Sequence, residues 1–144
     1  MNTLYKFLFP GEERPQTVSL AILAMRLIFG ILIMNHGYMK IANFGALEQA
    51  FPDPLGVGSQ LSLLLAIFAE FLCGLAFTIG FLYRIVLIPL IFTMLVILLV
   101  VHASDPLSAK ELALLYLAIF CISYIMGPGR FAVDQLIRNM LFKK

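Results

Sequence analysis

The chain has 144 residues, of which 62% are hydrophobic and 12% charged, with a formal net charge of +2. Soluble domains average about 45–50% apolar and about 25% charged residues, so this composition excludes an ordinary soluble fold and describes a one-domain integral membrane protein. The small basic excess forms no helical stripe, which argues against a nucleic-acid partner, and two histidines with two cysteines supply neither a zinc site nor a disulfide framework.

Residues 1–17, MNTLYKFLFPGEERPQT, are broken by Pro10, Gly11 and Pro15 and lack a signal-peptide cleavage pattern, so they read as a short N-terminal tail. The first span is expected over 18–41, with Thr17 or Ser19 as N-cap. It carries Arg26, Asn35, His36 and Lys40, too many polar groups for a helix that faces only lipid. Asn43 to Ser59, NFGALEQAFPDPLGVGS, is rich in Gly and Pro and reads as a loop or a short interfacial segment, either a cover over a site or a plain connection.

The second span, LSLLLAIFAEFLCGLAFTIGF over 61–81, has one ionisable residue, Glu70, near its middle. A charge at that depth costs about 2.5–3.5 kcal/mol on insertion scales, so a partner is required. The short FLYR turn leads into a third span over 85–102, which must therefore run antiparallel to the second. After ASDPLS a fourth span is expected over 109–126, stopped by Gly127 and Pro128. Residues 127–144 set Phe131, Leu136, Ile137, Met140 and Leu141 against Arg130, Asp134, Arg138, Lys143 and Lys144. That pattern suits an interfacial amphipathic helix, and equally a docking helix for a partner. The expected fold is an all-α membrane protein: a four-transmembrane-helix bundle between a short cytoplasmic N-terminal tail and a C-terminal amphipathic helix. Lys6, Arg14, Arg84, Arg130, Arg138, Lys143 and Lys144 fall on one side and Lys40 and Lys110 on the other. The positive-inside rule then predicts a bacterial cytoplasmic (inner) membrane protein with both termini inside.

Counting about 1.5 Å per residue from the cytoplasmic ends puts Arg26 at roughly 12 Å and Glu70 at roughly 18 Å, which predicts a buried Arg26–Glu70 pair. The same count brings His36 to roughly 27 Å, His102 to roughly 25 Å and Glu111 to roughly 22 Å, with Lys40 one turn above His36. His36, Lys40, His102 and Glu111 are thus a candidate ligand site near the periplasmic side. Plainer roles compete at each position. Ser108 and Glu111 match a capping box, Lys40 can extend to the headgroups, two histidines are too few for a defined metal set, and an Arg–Glu pair can serve helix register alone.

Arg26, Gly30, His36, Gly37 and Lys40, then AEFLCGLAFTIGFLYR with Glu70, Gly74, Gly80 and Arg84, then His102, KELALLYL with Glu111, and GPGRFAVD resemble, in that order, the blocks of the DoxX family of membrane proteins. The resemblance spans about 20–135. It implies a four-helix membrane bundle and a redox association, since relatives include the membrane subunits of thiosulfate:quinone oxidoreductase and components of membrane oxidoreductase complexes. It fixes no reaction and supplies no intrinsic cofactor.

Two functions are therefore expected to compete. One is a quinone-interacting redox subunit, an oxidoreductase component dependent on a quinone or on a soluble or membrane partner protein. Histidine exchanges protons near neutral pH and lysine stabilises anionic reduced forms. The other is a non-catalytic scaffold or a small carrier using Arg26 and Glu70. Four helices make a thin wall around a cavity, so a homo-oligomer is expected in either case.

Overall fold

The computed structural model describes residues 15–142. Four helices are long and apolar enough to cross a membrane: α1 (Gln16–Ala42), α2 (Ser59–Ile79), α3 (Tyr83–Val101) and α4 (Leu107–Met126). A fifth, α5 (Val133–Phe142), follows them, and a single helical turn, Phe44–Leu47, interrupts the long loop. The protein is an all-α membrane bundle with no strand among the described residues. Each span begins two residues before its expected start, because the pairs Gln16–Thr17, Ser59–Gln60, Tyr83–Arg84 and Leu107–Ser108, each with at least one polar residue, supply the first turn. A first turn needs no intrahelical amide partners and tolerates polar side chains. The N-cap of α1 is Pro15, and Ser19 lies buried inside the helix.

The helices pack in chain order, α1 on α2, α2 on α3 and α3 on α4. Their shared core holds Phe77, Tyr83, Leu87, Leu90, Met94, Tyr116 and Phe120. Phe77 stacks on Tyr83 at 5.4 Å between centroids and meets Phe120 edge-on, also at 5.4 Å. Offset and edge-on pairs of this kind add about 0.5–1.5 kcal/mol each to the burial of the rings. Large apolar side chains such as Ile28, Ile31, Leu64, Ile88 and Leu99 point outward instead, as they must where the solvent is hydrocarbon.

Small residues set the register of α1 on α2. A Cβ on Gly30 would lie 2.0 Å from Thr78 Oγ1, and one on Gly37 would lie 2.6 Å from the Phe71 amide nitrogen. Between them Gly74 packs on Ile33 and Met34. Seven residues up α1 therefore match seven residues back along α2, an antiparallel contact that backbones reach only where side chains are absent.

The end of the bundle that carries the α2–α3 turn is tied together by the segment after α4. Gly80 adopts φ +73° and the Phe81 amide donates to Ala76 O at 2.9 Å, which stops α2. Leu82 follows in the left-handed region with φ 45°. Its amide and that of Tyr83 donate to the two carboxylate oxygens of Asp134 at 2.8 and 2.9 Å, so Asp134 caps α3 from a distant part of the chain. Burial pushes the Asp134 carboxyl up, opposed by these two amides and by the Arg26 charge. Gly127, Pro128, Gly129, Ala132 and Asp134 are all buried. The first part of the expected interfacial segment is therefore built into the bundle, and the amphipathic part starts only at Val133, with Leu136, Met140 and Leu141 exposed.

Candidate functional site

Arg26 and Glu70 do not meet. Arg26 is 1% exposed, and its guanidinium donates to four carbonyl oxygens: Phe77 at 3.2 Å, Thr78 at 2.9 Å, Pro128 at 2.8 Å and Phe131 at 3.0 Å. The first two belong to the last turn of α2, where carbonyls lack intrahelical partners and the helix dipole is negative. The glycine register explains why the expected pair fails. Gly30 faces Thr78 and Gly37 faces Glu70 and Phe71, so Arg26 lies beyond the end of α2. Eleven residues of helix, roughly 16 Å, separate it from the level of Glu70. Counting both helices from a common end ignores that α1 projects past α2.

Glu70 pairs with Lys40 instead. Lys40 Nζ lies 2.5 Å from Glu70 Oε2, with the side chains 21% and 4% exposed. Lys40 stands one turn beyond Gly37, where α1 comes closest to Glu70, so its stem turns inward rather than out to the headgroups. Among the described residues the ammonium makes this one hydrogen bond and keeps two N–H donors, while Glu70 Oε1 accepts none. Glu70 also sits inside a π-helical turn, Phe68–Cys73, and a second π turn, Ile97–Val101, ends at His102, whose amide donates to Ile97 O at 2.9 Å. Such widened turns are frequent at functional sites, and here both border the same space.

That space is a cavity of about 400 Å³ bounded by the long loop, α2 and α3. Phe51, Pro52, Pro54 and Leu55 of the loop form one wall, and Phe68, Phe92 and Val96 continue it with apolar surface. Lys40, Glu70 and His102 are its charged and titratable groups. The loop is anchored by Asp53, which accepts from the Val57 amide at 2.9 Å, the Gly58 amide at 2.7 Å and the Ser62 hydroxyl at 2.7 Å. The Ser62 hydroxyl first, with the Gly58 and Val57 amides, holds the Asp53 carboxyl below the usual aspartate range.

A smaller cleft of about 160 Å³ opens between α1, α3 and α4, lined by His36, Tyr116 and Ala109 and again by Lys40, Glu70 and His102. His36 stands edge-on to Tyr116 at 6.2 Å between centroids, and His102 Nδ1 lies 2.7 Å from Asp105 Oδ2. Of the four residues expected to share a site, Lys40 and His102 line both spaces, His36 lines only the cleft, and Glu111 is exposed and lines neither. Glu111 makes no capping box either: Pro106 is the N-cap of α4 and no side chain caps it. Among the described residues no three His, Cys, Asp or Glu side chains converge as a metal site would require. Sequence reasoning missed Asp53 as the loop anchor and Tyr116 as a cleft wall. Asp-Pro followed by two glycines ahead of a helix was the available signal for the first; the second had none.

The family model for DoxX matches residues 21–103, more than half of the chain. The chain belongs to the DoxX family. The matched stretch includes Arg26, Lys40, Glu70 and His102 and ends just past α3, so the KELALLYL and GPGRFAVD blocks lie beyond it. No curated protein and no solved structure matches this DoxX chain.

Proposed function

We propose that this DoxX protein is a membrane subunit of a redox system and holds a quinone in the cavity between the loop, α2 and α3. The observation that supports this reading is an apolar cavity of about 400 Å³ ending at a Lys–Glu pair that neutralises itself. Ligand pockets of about 300–1,000 Å³ with a few convergent polar groups suit a small amphipathic molecule. An uncharged ring with carbonyl oxygens and an apolar tail fits such walls, whereas a charged metabolite would compete with one member of the pair.

A bound quinone supplies two-electron, two-proton redox chemistry. The chain's part is to bind, orient and handle protons. Lys40 has N–H donors left for a carbonyl oxygen, Glu70 Oε1 can take or release a proton, and the His102 imidazole offers a ring nitrogen to a carbonyl or hydroxyl group. The loop wall of Phe51, Pro52, Pro54 and Leu55 covers one side of the apolar part. Electrons pass to or from a soluble or membrane oxidoreductase partner. The inner membrane, with both termini on the cytoplasmic side, and a homo-oligomeric assembly complete the proposal.

A photoreactive azidoquinone tests the site. Crosslinks are expected within 51–55 and 89–101, competed by unlabelled quinone and weakened in Lys40→Met. Labelling confined to the lipid-facing surface of α4 would count against the cavity.

A further inference from the structure

The Lys40–Glu70 pair divides two spaces. The larger cavity and the cleft have Lys40, Glu70, Ile97 and His102 in common, so the pair is a partition with the apolar cavity on one side and the cleft on the other. The two spaces differ in proportion. The larger is walled mainly by apolar side chains and the loop, whereas in the cleft His36 and Tyr116 join the shared Lys40, Glu70 and His102 among apolar walls such as Ile33, Met94 and Leu112, so a larger share of its lining can donate or accept hydrogen bonds. A volume of about 160 Å³ has room for about five water molecules at ~30 Å³ each.

We propose that the cleft is a proton port, a hydrated passage that connects Glu70 to the aqueous phase on the membrane side carrying the long loop. His102 stands at its outer end. Its Nδ1 is engaged by Asp105, which leaves Nε2 as the atom that exchanges with cleft water. A proton taken from bulk water passes through His102 or His36 and the cleft waters to Glu70 Oε1, and Lys40 stays an ammonium ion throughout. The carboxylate becomes a neutral acid beside that ammonium, and the reverse transfer restores the pair. The titratable groups facing this route are His36 and Lys40 from α1, Glu70 from α2, His102 at the end of α3 and Tyr116 from α4, with Asp105 behind His102. Lys110, which does not line the cleft, is tied to Ala103 O at 2.8 Å. The port serves Glu70 whatever occupies the larger cavity.

The test is time-resolved infrared spectroscopy of the ligand-free protein in nanodiscs after a pH jump, with the Glu70 band assigned by subtraction of Glu70→Gln. Ala109 is exposed and lines the cleft, while Ala66 lines only the larger cavity. Ala109→Leu is expected to slow protonation of Glu70 at least tenfold, and Ala66→Leu to leave it unchanged. His102→Gln, a second way to obstruct the route, is expected to slow it as well. A Glu70 band that does not respond to pH, an unchanged rate in both Ala109→Leu and His102→Gln, or slowing by Ala66→Leu alone would overturn the port. Quinone retention by Ala109→Leu is read separately, so the failure of the port and the failure of the quinone reading are distinct results.

Discussion

Replacing Arg26 by methionine keeps an apolar stem of similar length and removes all four hydrogen bonds from its guanidinium. The Phe77 and Thr78 carbonyls belong to a helix end, where neighbouring amides can partly substitute; Pro128 and Phe131 lie outside any helix. Leaving a buried acceptor unpaired costs about 1–3 kcal/mol, and water reaches the half-exposed Phe131 more easily, so the loss is expected to total about 3 kcal/mol. Reversible unfolding in mixed micelles measures it. The control is a double-mutant cycle with Glu70→Gln, where the coupling should stay within about 0.5 kcal/mol because the two sites share no partner. The corresponding cycle between Lys40→Met and Glu70→Gln should show more than about 1 kcal/mol, as expected for a largely buried pair. A large Arg26–Glu70 coupling, or an Arg26→Met protein as stable as the parent, would refute the assignment of Arg26 to the carbonyls.

Three further outcomes follow from the packing and the loop. Gly30→Ala places a Cβ against Thr78 and should destabilise the α1–α2 contact by about 1–3 kcal/mol in the same assay, while Gly45→Ala, which points into open space, should change nothing. Asp134→Ala removes the cap of α3 and should cost about 0.5–2 kcal/mol, with faster proteolysis at the Gly80–Tyr83 turn. The Asp53 carboxyl is held below its ordinary range, so its contribution is present above the unfolded-state pKa and is lost as pH falls through the lower folded value. Hydrogen exchange should therefore find the Val57 and Gly58 amides protected at neutral pH and released in acid, and Asp53→Asn should abolish that pH dependence.

The fold was legible because four apolar runs are separated by strong turn signals, NFGALEQAFPDPLGVGS, FLYR and ASDPLS, and because hydrocarbon admits few alternatives to a helical bundle. The site was legible only in part. Depth counting picked out Lys40 and His102, which the structure brings to one space, and drew attention to Glu70 without finding its partner. Pairing across helices depends on which backbones touch, and Gly30, Gly37 and Gly74 decide that from within the interface rather than from the ends. Arg26 binds carbonyls 51 to 105 residues away in the chain, a relation with no local pattern. Glu111 misled for the opposite reason. Its S-x-x-E spacing is real, but α4 starts at Leu107, so Ser108 is already inside the first turn and cannot cap it. The two π turns at Glu70 and His102 carry no sequence signal that separates them from ordinary helix.

The most direct test of a quinone-holding bundle is native mass spectrometry of the protein purified in mild detergent, with organic extraction and quinone analysis of the same sample. A near-stoichiometric quinone in the parent protein, lost in Lys40→Met and His102→Ala but kept in Glu111→Gln, is the predicted result. Phospholipid alone in the parent, or a quinone retained equally by every variant, would contradict it.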